Sequence, residues 1–311
     1  MDAISIVGNV AEMFSGRGMK PWHGLGQIVQ GLLTSREAIK AAHLNWTVSK
    51  QPLYWNDNKG KRHEFGTKRL VVRDDIQHVL GEVSSSYEVF QNSEAFEFCD
   101  TLVGEGRAVY DTAGALFGGK RIWVCMKLNP EDFDDQMKGE NYERLVMLHN
   151  TFDGSGGSMC HCMTRPVCYN TVTAALAEQR RSYSFRHAGR LQEQIEAARK
   201  GLGIVTENMR ELEKCLAEIR NIKMPQREVK EFAEEMTDVE MYRDAIVHLF
   251  KHGIGCEGKN RYDAFNAVTQ LTTHHLRVRG NEQVKAERLM DGLLVGRGYT
   301  MQRKALSLLT P

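Results

Sequence analysis

The hydrophobic period of this chain changes near Asn170, and that change constrains the fold more than any other feature. From Trp46 to about Cys168 apolar residues come in short runs separated by turn residues. Trp46, Val48, Leu53 and Trp55 lie in a β-rich run, and Asn56-Asp57-Asn58-Lys59-Gly60 has the composition of a hairpin turn. The return strand is expected over His63–Arg73, with further strands at Val79–Ser84, Val109–Leu116, Arg121–Leu128 and Leu145–Phe152. Gly118-Gly119 marks another tight turn. Helices are expected at Thr34–His43, capped by Ser35, and at Ser93–Val103. Beyond Asn170 the pattern turns helical, first over Thr171–Arg181 and then over Leu191–Ile222. In the longer stretch Ile195, Ala198, Leu202, Val205, Met209, Leu212, Leu216 and Ile219 recur every three or four residues. Thr237-Asp238-Val239-Glu240 fits a capping box before Met241–Lys251, Gly253 and Gly255 close that helix, and Arg261–Arg277 opens another. Short strands joined by hairpins favour an antiparallel sheet over a doubly wound one. The expected class is therefore α+β: a core domain over residues 1–186, then a helical region over 187–311 packing on that core or on neighbouring subunits.

Composition narrows the function classes. The 311 residues carry 41 Lys and Arg against 40 Asp and Glu, so the chain is not a bulk polybasic binder. The charge is uneven, however. Six acidic residues and only Lys138 as a base lie between Glu131 and Glu143, while Ala177–Lys230 has 12 basic against 8 acidic and Arg261–Lys304 has 8 against 4. No apolar run reaches the roughly 18 residues of a membrane span, which argues against a membrane partner. The first residues lack the basic start and apolar centre of a signal peptide, and seven Cys is an odd count. Reduced thiols in a cytoplasmic protein, in a bacterial host cell, are the expectation.

Three motifs invite chemistry. Asp153-Gly154-Ser155-Gly156-Gly157 follows a strand, and small residues there can offer consecutive N–H groups to a phosphate. It lacks the Lys of a Walker loop and the spacing of a dinucleotide fingerprint, so a plain hairpin connection is the competing reading. Cys160-His161-Cys162, with Cys168 six residues later, offers zinc-ligand chemistry without zinc-site spacing, and strand alternation puts His161 opposite the two cysteines. No metal is expected on that count. The third motif is basic residues interleaved with aromatics: Lys59, Lys61, Arg62, His63, Lys68, Arg69 and Arg73 beside Tyr54 and Trp55. Lys120, Arg121 and Trp123 repeat the combination, as do Arg165 and Tyr169. Lys and Arg on phosphates with aromatic faces under the bases is how single strands are held. A solvated hairpin with its aromatics in the core is the alternative.

Several segments together resemble the phage/plasmid-like protein family, a domain of unknown function (932) frequent in phages and mobile elements. They are Pro21–Gly26, SREAIKAAHLNWTVSKQPLY, Val79–Phe98, Phe152–Gly157, Arg165–Leu176 and Arg261–Arg277. Relatives often carry His-Asp-Gly-Ser where this chain has Phe152-Asp153-Gly154-Ser155. The resemblance implies a mobile-element setting, and the order of elements is similar to phage single-strand annealing proteins. Such proteins form rings or filaments on single-stranded DNA and use no cofactor and no nucleotide hydrolysis.

On that basis the chain is expected to be a non-enzymatic, homo-oligomeric protein that binds and anneals single-stranded nucleic acid. Lys61, Arg62, Lys68, Arg69, Arg73, Arg121 and Arg165 are the expected phosphate contacts. Tyr87 is expected to stack on a base, and Gln91, Asn92 and Asn170 to bond to sugar, base or backbone. Asp153, Gly154, Ser155 and Gly156 are the candidate phosphate loop. Two other readings stay open: a metal-dependent enzyme on nucleic acid or nucleotide, using Asp153, His149 and His161, and a host-directed interaction protein using Glu131–Glu143.

Overall fold

The computed structural model describes residues 4–16, 26–103, 106, 108–129, 143–155, 157–165, 170–172, 183–185, 193, 203–294 and 296–311. Its class is α+β. Four short strands come first: β1 (Ile6–Val7), β2 (Val10–Ala11), β3 (Met13–Ser15) and β4 (Gln27–Ile28). Helix α1 (Ser35–Ala41) follows, then β5 (Val48–Asn56), β6 (Arg62–Arg73), β7 (His78–Ser84) and helix α2 (Asn92–Val103). Next come β8 (Ala108–Leu116), β9 (Arg121–Leu128), β10 (Glu143–Thr151), β11 (Gly157–Arg165), β12 (Asn170–Val172) and β13 (Tyr183–Phe185). The described remainder holds α3 (Gly203–Asn221), α4 (Gln226–Met236), α5 (Glu240–His252), α6 (Arg261–Gln270), α7 (Glu282–Leu294) and α8 (Arg297–Leu309), with a π turn at Leu271–His275 after α6.

The strands make three sheets: β1-β2, the meander β5-β6-β7, and a larger sheet ordered β12-β11-β10-β9-β8-β3-β4 in which β13 also pairs β11. Strands β3 and β4 run parallel, an exception to the antiparallel expectation; β3–β8, β5–β6, β6–β7, β11–β12 and β11–β13 are antiparallel. The expected helix over Thr171–Arg181 is corrected at its start. Residues Asn170–Val172 pair with β11, where β-branched Thr171 and Val172 suit an extended chain; the rest of that stretch lies outside the described residues.

Two compact units divide the chain discontinuously. The first contains Met1–Lys127, Met147–Met159 and Tyr183–Leu202. In it α1 and α2 touch each other and β8, around buried Phe14, Leu44, Phe90, Phe96, Trp123 and Phe152. The cap of α1 is Thr34 rather than Ser35: Thr34 Oγ1 accepts from Glu37 N–H, and Glu37 Oε2 accepts from Thr34 N–H at 2.9 Å.

A buried guanidinium ties this unit together. Arg73, at the end of β6, is 1% exposed and donates to Glu12 Oε1 at 2.5 Å and Oε2 at 2.9 Å. It also donates to Asp75 at 2.7 and 2.9 Å and to the Gly118 carbonyl at 3.3 Å, and lies 4.2 Å from the Trp46 ring centre. Gly118 and Gly119 take positive φ in the turn from β8 to β9, and a Cβ on Gly119 would stand 3.0 Å from the Trp46 ring and 3.2 Å from Arg73. Desolvation raises the Glu12 carboxyl pKa against the pull of Arg73.

The second unit contains Leu128–Val146, Cys160–Ser182 and Gly203–Pro311. Helix α6 is its centre, touching α3, α5, α8 and β12. Every residue of α6 after Arg261 is buried, including Asp263, Asn266, Thr269 and Gln270. Its capping box is Asn260 with Asp263, whose carboxylate also accepts N–H bonds from Glu257 at 3.2 Å and Lys259 at 2.9 Å. The box expected at Thr237–Glu240 is absent. Val239 is the cap residue there, and Thr237 Oγ1 accepts from Val239 N–H instead. Glu213 on α3 forms a buried ion pair with Arg144.

Replacing Arg73 with Met strands Glu12 in the core. The expected cost is about 3–5 kcal/mol in urea denaturation. The deficit should widen from pH 5 to pH 8, because the buried carboxyl keeps a proton that the unfolded chain releases. A loss below 1 kcal/mol at both pH values would contradict this account.

Candidate nucleic-acid interface

Strands β5 and β6 form a ribbon whose two ends differ. At the foot Val48, Val71 and Val72 are buried; beyond Leu70 toward the turn neither strand has a buried residue. Register pairs Tyr54 with Glu64, Trp55 with His63 and Asn56 with Arg62, so Trp55 and His63 share one face and Tyr54 and Arg62 the other. Both faces of the outer half are wet: Trp55 is 52% exposed, Phe65 45% and Tyr54 40%. Such aromatics in contact with water mark an interaction surface more than a core.

Short-range pairs keep this outer half ordered. The Trp55 and His63 rings stack with centroids 4.8 Å apart, and the Arg62 guanidinium lies 3.7 Å from the Tyr54 ring centre. Asp57 builds the turn, its Oδ1 accepting from the N–H groups of Lys59 and Lys61 at 2.9 Å and its Oδ2 lying 2.9 Å from His63 Nε2. The His63 bond, with these amides, holds the Asp57 pKa below its ordinary value. Lys59, Lys61 and Arg62 are exposed, and among the described residues no carboxylate pairs with them. Lys68 and Arg69 face Glu82 and Glu64 at 3.1 Å each; partly exposed pairs of this kind contribute little.

Four expected contacts fall inside the fold instead. Arg73 is the buried guanidinium described above and has no surface to offer a phosphate. Tyr87 is 4% exposed, donates to the Thr151 carbonyl at 2.9 Å, and has its pKa raised by burial, so it is no stacking platform. Gln91 bonds both ways with the Val48 backbone, at 2.8 and 3.1 Å. Asn92 is 1% exposed and donates to the Leu44 and Trp46 carbonyls. Asn150 completes the seam by donating to the Phe90 carbonyl at 2.9 Å. The motif Val79–Phe98 is thus a seam in which polar side chains satisfy backbone groups between elements.

The loop after β10 is likewise self-contained. Asp153 Oδ1 accepts from Ser155 N–H at 3.0 Å and from the Ser155 hydroxyl at 2.7 Å, and Ser155 Oγ lies 3.0 Å from Thr151 Oγ1. The Ser155 amide is therefore bonded to a carboxylate rather than offered to a phosphate. Desolvation raises the Asp153 pKa, but the Ser155 bonds and the Arg121 charge outweigh it and the net direction is down. A Cβ on Gly81 of β7 would stand 2.6 Å from Asp153 Cα, so this loop packs directly on β7. Gly156 lies outside the described residues. Arg121, half-buried on β9, acts electrostatically on both Asp153 and His149.

Arg165 and Asn170 are register partners at the end of β11–β12. Cys160, His161 and Cys162 are consecutive on β11, while Cys168 and most of Glu131–Glu143 lie outside the described residues. Among the described residues no three His, Cys, Asp or Glu gather to hold a metal, and no helix is long and apolar enough to cross a membrane. Phe65 was not singled out by sequence, because alternation alone does not distinguish a wet aromatic from a core one.

Residues 79–292 match the family described as Domain of unknown function (DUF932). The chain belongs to this family. No curated protein and no solved structure matches it. The DUF932 match takes in the seam, the Asp153 loop and most of the helical unit, and it starts beyond the β5–β6 ribbon.

His149 titration gives a test of the first unit. Burial, helped by the Arg121 charge, lowers its pKa from 6.5 to about 4. The unfolded chain takes up this proton near pH 6.5 while the folded chain resists until about pH 4. Stability complete above pH 6.5 should therefore fall by about 3 kcal/mol on acidification through that window. In His149→Gln this component should vanish from the pH profile of unfolding.

Proposed function

We propose that this protein binds single-stranded nucleic acid through the outer half of the β5–β6 ribbon. What carries the reading is the conjunction, on one projecting ribbon, of three wet aromatics with cations that lack counter-charges. Trp55 and Phe65 supply stacking faces, Arg62 is already seated on Tyr54, and Lys59, Lys61 and Arg62 lie where a phosphate chain crossing the tip would run. Lys68 and Arg69 extend this track along the ribbon. Annealing of complementary strands in the recombination or replication of a phage or mobile element, by a homo-oligomer without nucleotide hydrolysis, is the activity we attach to such binding.

Fluorescence anisotropy of a labelled single-stranded oligonucleotide tests the reading. Trp55→Ala and Phe65→Ala are each expected to weaken binding by about 1–3 kcal/mol, with far smaller effects on a duplex. Lys61→Gln with Arg62→Gln should flatten the salt dependence by about 0.7 log units per lost phosphate contact. Wild-type affinity in both ribbon variants would discard the ribbon as the interface.

A further inference from the structure

The helical unit carries its own concentration of uncompensated charge. Arg277 and Arg279 lie on the extended segment between the π turn and α7, Arg288 on α7, and Arg297 opens α8. All four are exposed. Contacts through Tyr242 and the Arg279 carbonyl join them in pairs. The Arg297 guanidinium is 4.9 Å from the Tyr242 ring centre, and the Tyr242 hydroxyl accepts from Arg277 N–H at 3.2 Å. Arg288 Nη1 donates to the Arg279 carbonyl at 2.7 Å. Tyr242 itself is 5% exposed, and it holds the Arg297 guanidinium and the Arg277 backbone at one place on the unit.

Among the described residues no carboxylate pairs with any of the four. Glu287, on the same helix as Arg288, is 7% exposed and withdrawn from the surface. Like charges held together without partners repel, and a polyanion relieves that repulsion while releasing its own counterions. Guanidinium groups match phosphate oxygens in planar, two-toothed geometry, which a lysine cannot do. Tyr242, which the Arg297 guanidinium covers, is buried and offers no face to a base.

We infer that Arg277, Arg279, Arg288 and Arg297 form a second nucleic-acid surface, one that grips the phosphate backbone alone. It reads neither sequence nor strandedness, and thereby differs from the ribbon. The assignment stands on the arginine geometry and does not require the ribbon to bind.

The test uses the full chain with a labelled single strand and its duplex, titrated at several salt concentrations. The side chains of Arg277 and Arg279 make no hydrogen bond or ring contact among the described residues, so Arg277→Gln/Arg279→Gln should unfold at the wild-type temperature. The double variant should bind both nucleic acids about tenfold more weakly, with the salt slope reduced by about 1.4 on the single strand and 1.8 on the duplex. Arg277→Lys/Arg279→Lys should keep the wild-type slope. Wild-type affinity and slope in the Gln variant would overturn the inference. Loss in that variant with no effect of Trp55→Ala or Phe65→Ala would discard the ribbon alone, and the reverse would discard the arginine surface alone. Displacement of the oligonucleotide by polyaspartate at lower charge concentration than by unlabelled single strand would also overturn it, in favour of an acidic protein.

Discussion

A single guanidinium links four separate segments of the first unit. Arg73 gathers Glu12 from the turn before β3, Asp75 from the turn after β6, the Gly118 carbonyl from the β8–β9 connection, and the Trp46 ring. The segment that brings Glu12 has little apolar surface of its own, since β1 to β4 are only two or three residues each. The arginine supplies direction where burial alone would not. Its two carboxylates and one carbonyl satisfy a charge that would otherwise be expensive in the interior. Because Arg73 ends β6, it also clamps the foot of the ribbon, and the exposed half inherits a fixed base.

The fold was legible where period and turn chemistry agreed. Strands β5 to β10 and helices α1, α2, α5 and α6 fall close to their expected positions, since Asn56–Gly60, Gly118-Gly119 and Gly253 punctuate runs of clear period. The earliest strands were not legible, because a strand of two residues has no period. Arg73 shows the deeper limit at the site. It follows Lys68 and Arg69 on a basic strand, and nothing local distinguishes it from them. Besides neighbouring Asp75, its partners are 61 residues away at Glu12 and 45 away at Gly118. Gln91 and Asn92 failed for the same reason, their bonds to Val48, Leu44 and Trp46 spanning more than 40 residues. The exposure of Lys61 and Arg62 was legible, because a turn tip must be wet whatever else the chain does.

The helical unit meets a different demand. Helix α6 is enclosed on all sides yet carries Asp263, Asn266, Thr269 and Gln270. Asp263 is satisfied by amides of the preceding loop, Gln270 accepts from Ile254 N–H at 3.0 Å, and Thr272 accepts from Gln302 at 2.8 Å. The Asn266 amide, fully buried, has no hydrogen-bond partner among the described residues. Polar groups in this position specify one arrangement of helices where an apolar helix would tolerate several, at some cost in stability. The loop that carries Arg277 and Arg279 leaves this centre directly from the π turn, so the arginines are anchored to the best-defined part of the unit.

The outer half of the ribbon buries nothing, and this separates two selective pressures that most surfaces mix. A substitution at Trp55, Lys61, Arg62 or Phe65 changes what the tip meets but removes no contact from the core. Its amino-acid content is therefore constrained by the short-range pairs of the ribbon and by its surroundings in solution, and hardly at all by core packing. Among relatives, these positions can drift toward small polar residues while the seam around Tyr87 and Asn92 stays intact.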